Sequence, residues 1–305
     1  MVESSFSVVV PASTANLGPG FDSIGLALNL YMTVDVSPSE DWEVTYKDDG
    51  FEDLPTGEDN LIVKTVTDIA DRKGLVVPVS RLIIQSDIPL GKGLGSSATA
   101  IAAGIEIANQ LLVLNLSEKE KVLLGSGYEG HADNISAALL GGVTISYFDG
   151  VAMDIVHIPE PKMGAVILVP PEALLTEASR GLLPGELSHA EATRSSAAAN
   201  VLSAAIARDD WETAGRMMEK DTFHEPYRKK LFPEFDRIRK VCQERGAYGV
   251  TISGAGPSLF VAVKQGVESE LAMRLAAEFP YYDCIAVKPS IEGAMIELRK
   301  EQAPR

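Results

Sequence analysis

Cysteine is almost missing from this chain: Cys242 and Cys284 are the only two in 305 residues, far apart and without companions at metal-ligand spacing. That excludes a disulfide framework and a cysteine zinc site, and it suits reduced packing thiols in a cytosol. Long apolar runs are missing too. Glu3 stands where a secretory leader would carry basic residues, and the following Val8-Val9-Val10 run stops at Pro11. Such a run is too short for a signal peptide or a membrane span, so a soluble cytoplasmic protein without a membrane partner is expected. Positive charge is scarce: 27 Lys and Arg face 43 Asp and Glu, a formal net charge of −16 with no basic cluster. A field of that sign repels phosphate backbones, which excludes nucleic acid as the expected partner. It also repels small anions. A site for one must therefore supply local compensation from glycine-loop amides, helix N-termini, a metal or arginines.

With 46% hydrophobic and 23% charged residues, the chain folds almost end to end. Its length exceeds the size at which one core usually keeps growing, so two domains are expected. Residues 5–10 read as a strand, 11–20 as a polar glycine-rich loop, and 26–36 as strand again. Helical spacing marks 60–73, and a β-rich run covers 81–85. The small and apolar residues of 98–114 form a helix apolar nearly all round, the pattern of a buried one. Strand-like stretches at 141–147 and 165–170 flank a proline-bearing segment, 158–163, which places a domain boundary there. Helices at about 191–208, 210–220, 235–245 and 268–278, with strands near Val250, Phe260 and Ile285, give an α+β second half. No internal repeat or low-complexity tract interrupts this order.

The most informative segment is Pro89-Leu90-Gly91-Lys92-Gly93-Leu94-Gly95-Ser96-Ser97-Ala98-Thr99, which opens directly on the buried helix. Glycines let the backbone approach an anion, unpaired amides at a helix start donate to phosphate oxygens, and serine hydroxyls reach phosphate or a divalent cation. It is not a Walker A loop, because Gly93 follows Lys92 where Ser or Thr is required, and Ser96 breaks G-x-G-x-x-G. From glycine chemistry alone, a serine-capped turn remains open beside the phosphate site. A literal G-x-G-x-x-G occurs elsewhere, at Gly125-Ser126-Gly127-Tyr128-Glu129-Gly130, with Asp149 at a suitable distance for a dinucleotide fold. That fingerprint needs a preceding strand. Residues 116–124 instead begin with a Ser117 cap and a charged helical turn, so they read as helix and a dehydrogenase is disfavoured.

The segment from Pro89 resembles the phosphate loop of the GHMP kinases, P-x-x-x-G-L-G-S-S-A, at every fixed position. Two further motifs of that family have counterparts, Pro11-Ala12-Ser13-Thr14-Ala15-Asn16-Leu17-Gly18-Pro19-Gly20-Phe21-Asp22 and Gly249-Val250-Thr251-Ile252-Ser253-Gly254-Ala255-Gly256-Pro257-Ser258. Three motifs in order across nearly the whole chain are far more specific than one. The first is closest to the homoserine kinase branch, with Asn16 and Asp22 at the spacing that branch uses for its substrate. The resemblance implies an α+β fold in two domains: residues 1–160 ribosomal-S5-like, carrying the phosphate loop at 89–99, and 161–305 ferredoxin-like, closing over it. It also implies ATP and Mg²⁺, an alcohol acceptor such as L-homoserine on the route to threonine, and a homodimer. A kinase for mevalonate or a sugar is the alternative acceptor class, and a non-catalytic nucleotide-binding module a third reading.

Residue by residue, the resemblance gives Ser97 and Glu129 to the metal, two hard oxygen ligands of the kind Mg²⁺ takes. Asn60 and the loop 89–99 fall to ATP, with an N-cap role for Asn60 equally open. Asn16, Asp22, His131, Thr176, Arg180, Arg228 and Gly254 fall to the acceptor, and Asp22 to orienting its hydroxyl or taking its proton. Homoserine is a zwitterion, so its site requires a cation for the carboxylate. An arginine fork matches that group bidentately.

Overall fold

The computed structural model describes residues 5–298 apart from Leu175 and Pro233, and the Thr176 side chain also lies outside the described atoms. The first half runs β1 (Phe6–Ala15), β2 (Ile24–Pro38), β3 (Glu43–Tyr46), α1 (Leu61–Lys73), β4 (Ser80–Ser86), α2 (Ser96–Leu111), α3 (Glu118–Glu129), α4 (Asp133–Leu140), β5 (Val143–Phe148) and β6 (Met153–Ile158). The second runs β7 (Gly164–Val169), α5 (Thr176–Arg180), α6 (His189–Ile206), α7 (Trp211–Met218), α8 (Glu225–Arg228), α9 (Phe235–Glu244), β8 (Gly249–Ile252), β9 (Leu259–Val263), α10 (Glu268–Glu278), β10 (Asp283–Val287) and β11 (Met295–Leu298). Both segments mix helix and strand, the α+β class expected from the sequence.

One sheet has seven strands in the order β11-β1-β2-β4-β3, with β5 and β6 joined through β2; the other has four, β10-β7-β9-β8. The long β2 makes the branch possible: its Met32–Pro38 stretch pairs with β4 and its Ile24–Leu26 stretch with β5. Strand β11 comes from the far end of the chain, yet it pairs antiparallel with β1 of the first sheet. The chain therefore crosses from the first sheet to the second through 158–163 and returns for its last strand.

Local chemistry explains the helices that matter. Helix α1 starts where Asn60 accepts a hydrogen bond from the Ile62 amide and stops at Gly74 in the left-handed conformation. In α2 the residues from Ala98 to Ala108 are buried but for Ala100, and the helix packs against α1. The crossing is close, because a Cβ on Gly104 would stand 2.6 Å from Thr65 Cβ. Helix α3 opens with a full capping box between Ser117 and Glu120. It carries the Gly125–Gly130 motif inside a helix and its C-cap, which removes the strand-to-helix turn a dinucleotide site needs.

One core cluster spans both sheets, and a second lies on the other face of the four-stranded sheet. In β7 every residue is buried because alternate side chains face opposite sides. Ala165, Ile167 and Val169 join the cluster that runs into the first sheet, while Val166 and Leu168 face α9 and α10. The segment between the sheets is anchored as well, with Pro161 and Met163 buried. The halves are therefore joined by shared packing as well as by the chain.

Candidate active site

Three loops converge at that cleft. The turn after β1 takes left-handed backbone at Asn16 (φ 73°), Leu17 (φ 46°), Gly18 (φ 82°) and Asp22 (φ 55°). Positive φ at three non-glycine residues costs roughly 1 kcal/mol or more each and persists only where the surroundings impose it. Here they do. The Asn16 side chain donates to the Gly254 carbonyl at 2.9 Å and accepts from the Asp22 amide at 3.0 Å. In the loop before α2, Gly91, Gly93 and Gly95 all have positive φ, and a Cβ on Gly93 would lie 2.4 Å from Ser253 O and 2.6 Å from Gly256 O. Ser253 Oγ, on the third loop, lies 2.7 Å from the Gly93 carbonyl and 2.8 Å from Thr14 Oγ1. The three sequence motifs are thus one hydrogen-bonded unit.

Two cavities meet at the start of α2. A polar one of about 90 Å³ is lined by residues that include Asn16, Asp22, Gly93, Gly95, Ser97, Glu129, His131, Arg180, Arg228 and Gly254. A larger, mostly apolar one of about 280 Å³ is lined by Tyr46, Phe51, Leu54, Asn60, Ile62, Ile88, Leu90 and Thr99, among others. Ser96 and Ser97 line both. Helix α2 has no side-chain cap at Gly95, so its first amides are left to whatever occupies the junction.

Within the polar cavity, Arg180 donates to Asp22 through both terminal nitrogens, at 3.1 and 2.6 Å. Burial lowers the Arg180 pKa, but the Asp22 carboxylate more than offsets this and the net direction is up. Arg228 is only 2% exposed. Its Nη1 contacts the Gly254 carbonyl at 3.2 Å and His224 Nδ1 at 3.3 Å, while Nη2 has no partner among the described residues. Burial, and then the charge of Arg180, brings the Arg228 pKa down to about 10. Phe21 lies 5.6 Å from both guanidinium carbons, a cation–π separation.

Glu129 and Ser97 meet directly, the serine hydroxyl donating at 2.8 Å. Burial raises the Glu129 pKa against that hydrogen bond. The pair offers hard oxygen donors beside the open amides of α2, which fits Mg²⁺. His131 Nδ1 lies 2.6 Å from Asp133 Oδ1. Burial works against protonation of His131, yet Asp133, then Glu129 and Asp22, carry its pKa upward. Asp22, His131 and Asp133 bring potential ligand atoms within 4.8 Å of one another. Asp22 is already paired with Arg180 and Asp133 with His131, so we read this cluster as a charge network.

Several residues expected at the site have their polar groups spent on structure. The Asn60 amide donates to Tyr46 Oη and the Pro55 carbonyl, and its oxygen caps α1. Lys92 turns its ammonium to the carbonyls of Pro170 and Pro171 across the cleft, at 3.0 and 2.6 Å. The Thr99 hydroxyl donates to Gly95 O. Pro89 borders neither cavity, and Leu94 is buried beneath the loop, its carbonyl accepting from the Ser13 amide. The expectation for Thr176 falls on a side chain outside the described residues. Sequence reasoning missed Phe21, Asp133, Asn134, Leu174 and Ala255 in the polar cavity, and the stacked Tyr46–Phe51 pair in the apolar one. Phe21, Asp133 and Asn134 were within reach, since they adjoin Asp22 and His131 in the motifs.

A glycine-rich loop at a helix start, with an apolar pocket on one side and a charged cavity on the other, fits the class of small-molecule kinases with an α+β two-domain fold. The sequence pattern of the GHMP kinases N terminal domain matches residues 60–142, and that of the GHMP kinases C terminal matches 202–280. A homoserine kinase of Bacillus velezensis is 42% identical over 295 residues, 97% of this chain and 96% of its own. One of Bacillus cereus is 46% identical over 275 residues, 90% of each chain. The crystal structure of homoserine kinase from Cytophaga hutchinsonii superposes with a TM-score of 0.85 at 28% identity, covering 97% of this chain and 98% of its own. Mevalonate diphosphate decarboxylase from Staphylococcus aureus, at 17% identity and a TM-score of 0.71 over 96% of this chain and 98% of its own, shares the fold. The chain belongs to the GHMP kinases, and among them to the homoserine kinases.

Proposed function

We propose that this protein transfers the γ-phosphoryl group of ATP to the side-chain hydroxyl of L-homoserine, with Mg²⁺, as a cytoplasmic homodimer on the route to threonine. The observation that carries the reading is the guanidinium of Arg228. It is buried, disfavoured in its charged form and left with an unpartnered Nη2 at the acceptor cavity. A ligand carboxylate would give that nitrogen a partner and stabilise the buried charge.

On this reading the base and ribose occupy the apolar cavity with Asn60 at its wall, and the phosphates follow the loop 89–99 across the first amides of α2. Ser97 and Glu129 would hold Mg²⁺, which neutralises charge on the phosphates when bound. Arg228 and Arg180 take the homoserine carboxylate; two of the five N–H groups of Arg180 go to Asp22, leaving three for the ligand. Asn16, His131, Thr176 and the carbonyl edge of Gly254 shape the rest of the acceptor pocket. Asp22, held in place by Arg180, orients the acceptor hydroxyl or takes its proton. Phosphoryl transfer depends chiefly on positioning and charge stabilisation, so no stronger base is required. The working unit is a 1–160 domain carrying the loop and a 161–305 domain closing over it, with β11 returning to the first sheet.

The test is a panel of ATP-dependent ADP release against homoserine, mevalonate, galactose and shikimate. Homoserine is expected to give the highest kcat/KM, with no turnover when Mg²⁺ is chelated. Faster turnover of any other alcohol overturns the assignment.

A further inference from the structure

His224 is fully buried between the turn after β1 and helix α8, and nothing in the transfer just described uses it. Its Nε2 lies 3.1 Å from the Gly18 carbonyl, and its Nδ1 lies 3.3 Å from Arg228 Nη1. The two partners fix the state of the ring. A carbonyl can only accept, so Nε2 carries the hydrogen; a guanidinium can only donate, so Nδ1 presents a lone pair. The ring is therefore neutral, and burial, partly opposed by Asp221, lowers its pKa in agreement. Its face stacks on Phe21, with centroids 5.3 Å apart. Asp221 Oδ2 lies 3.5 Å from Nε2, but that carboxylate already accepts from the amides of Phe223, His224 and Glu225.

We infer that His224 is a positioning residue: it ties the strained turn carrying Asn16 and Asp22 to the guanidinium of Arg228, and so sets the distance between the group that orients the acceptor hydroxyl and the group that holds the acceptor's carboxylate. The link is direct on both sides. Gly18 lies between Asn16 and Asp22, and its own position is constrained, since a Cβ there would stand 2.1 Å from Met218 O. Arg228 gains from His224 an uncharged acceptor for one N–H of Nη1, with Nη2 still available at the cavity. A pocket built this way measures the span between hydroxyl and carboxylate, which discriminates homoserine from amino acids whose hydroxyl sits one carbon nearer. The inference rests on the homoserine reading above.

Two amide variants separate the two bonds of the ring. Asparagine at 224 places its oxygen where Nδ1 stands and keeps an acceptor for Arg228. Glutamine places its nitrogen where Nε2 stands, keeping the donor to Gly18 and losing the acceptor. A hydrogen bond from a charged group is worth about one to two decades in an equilibrium constant, so the KM for homoserine should be roughly tenfold higher in His224→Gln than in His224→Asn. The KM for ATP should be the same in both. Equal homoserine KM values in the two folded variants, or a parallel change in the KM for ATP, overturn the proposal. The wild-type acceptor panel tests the homoserine reading separately, so variants that behave alike while the wild type favours homoserine sink the role of His224 alone. A measurement on the wild type stands even if a variant fails to fold: long-range ¹H–¹⁵N correlation should show His224 as the Nε2–H tautomer near neutral pH. A ring protonated at Nδ1 overturns the inference.

Discussion

Replacing Arg228 by methionine removes a guanidinium while keeping most of its stem, and its effects on stability and on catalysis separate clearly. Burial and the charge of Arg180 hold the pKa of Arg228 at about 10, roughly two to three units below an ordinary guanidinium. At 1.36 kcal/mol per unit, the fold disfavours this charge by about 3 kcal/mol. The sign follows from the direction: for a cation with a depressed pKa the penalty is present at every pH below about 10, and it fades only as pH rises towards the unfolded value. Against it stand the bonds to Gly254 O and His224 Nδ1, with a longer one of 3.5 Å from Nε to Ser179 O. At about 0.5–1.5 kcal/mol each, plus the cost of leaving buried acceptors short, they come to a similar sum. Arg228→Met should therefore leave stability within about 1–2 kcal/mol of wild type.

The catalytic term has nothing to offset it. Losing a charge-assisted hydrogen bond to the substrate carboxylate costs about 1.5–3 kcal/mol, or one to two decades in kcat/KM for homoserine. The loss should appear in KM for homoserine, with KM for ATP unchanged. The assays are urea denaturation and coupled ADP release, run on homoserine and on 3-aminopropan-1-ol, the same molecule without its carboxylate. Wild type should turn the amino alcohol over poorly, and Arg228→Met should do so about as well as wild type. If the variant loses as much on the amino alcohol as on homoserine, Arg228 serves the fold or ATP, and the reasoning fails.

Asp22→Asn preserves shape but frees Arg180 from its bidentate partner, so kcat should fall at least tenfold with KM for ATP unchanged; a kcat close to wild type would remove Asp22 from the chemistry. That ion pair is more than a third exposed at both ends, 38% and 35%, so the same substitution should change stability by only about 0–1 kcal/mol on urea unfolding. Ser97→Ala and Glu129→Gln should each raise the Mg²⁺ concentration giving half-maximal rate, with circular dichroism unchanged; coincident Mg²⁺ titrations would clear both residues of that role. Gly93→Ala places a Cβ 2.4 Å from Ser253 O on left-handed backbone, so it should destabilise by about 2–5 kcal/mol and raise KM for ATP. An unchanged urea midpoint would show that the loop is not pinned there.

Much of this architecture was legible because the carrying signals are local. The Ser117 cap and its charged turn identified α3 as a helix, which disposed of the glycine fingerprint inside it. The apolar run from Ala98 identified α2, which opens directly after the glycine loop at Gly95. Strand β1 was cut short in the reading because Pro11, Ser13 and Thr14 look like loop residues; it runs to Ala15, and the register shifts between Pro11 and Ala12, where the ladder tolerates a proline. Strands β3 and β6 were missed, β3 because it has only 4 residues and β6 because its alternation is weak, with Val156 exposed. Other features could not be read at all. Asp22 and Arg180 stand 158 residues apart in sequence, and the turn of Lys92 away from the cavity depends on two carbonyls from the other half of the chain. Contacts of that range are products of topology, and no local pattern encodes them.

The charge balance returns to the scarcity of basic residues. A protein at −16 cannot attract an anion by its overall field, so the cleft must reverse that field locally. The groups there that can do so are few: Arg180 and Arg228 near Asp22, and uncharged amides with two serine hydroxyls on the loop side. The same cavity keeps three carboxylates, those of Asp22, Glu129 and Asp133. Asp22 and Asp133 have Arg180 and His131 as close partners, while Glu129, with its raised pKa, and Arg228, with its lowered one, form no ion pair among the described residues. They lie on opposite sides of the problem, one short of a cation and the other short of an anion. A lone phosphate would satisfy only the second, and a lone metal ion only the first. A metal ion and an anionic ligand bound together satisfy both, a pairing that the proposed metal-bound nucleotide and amino acid would bring.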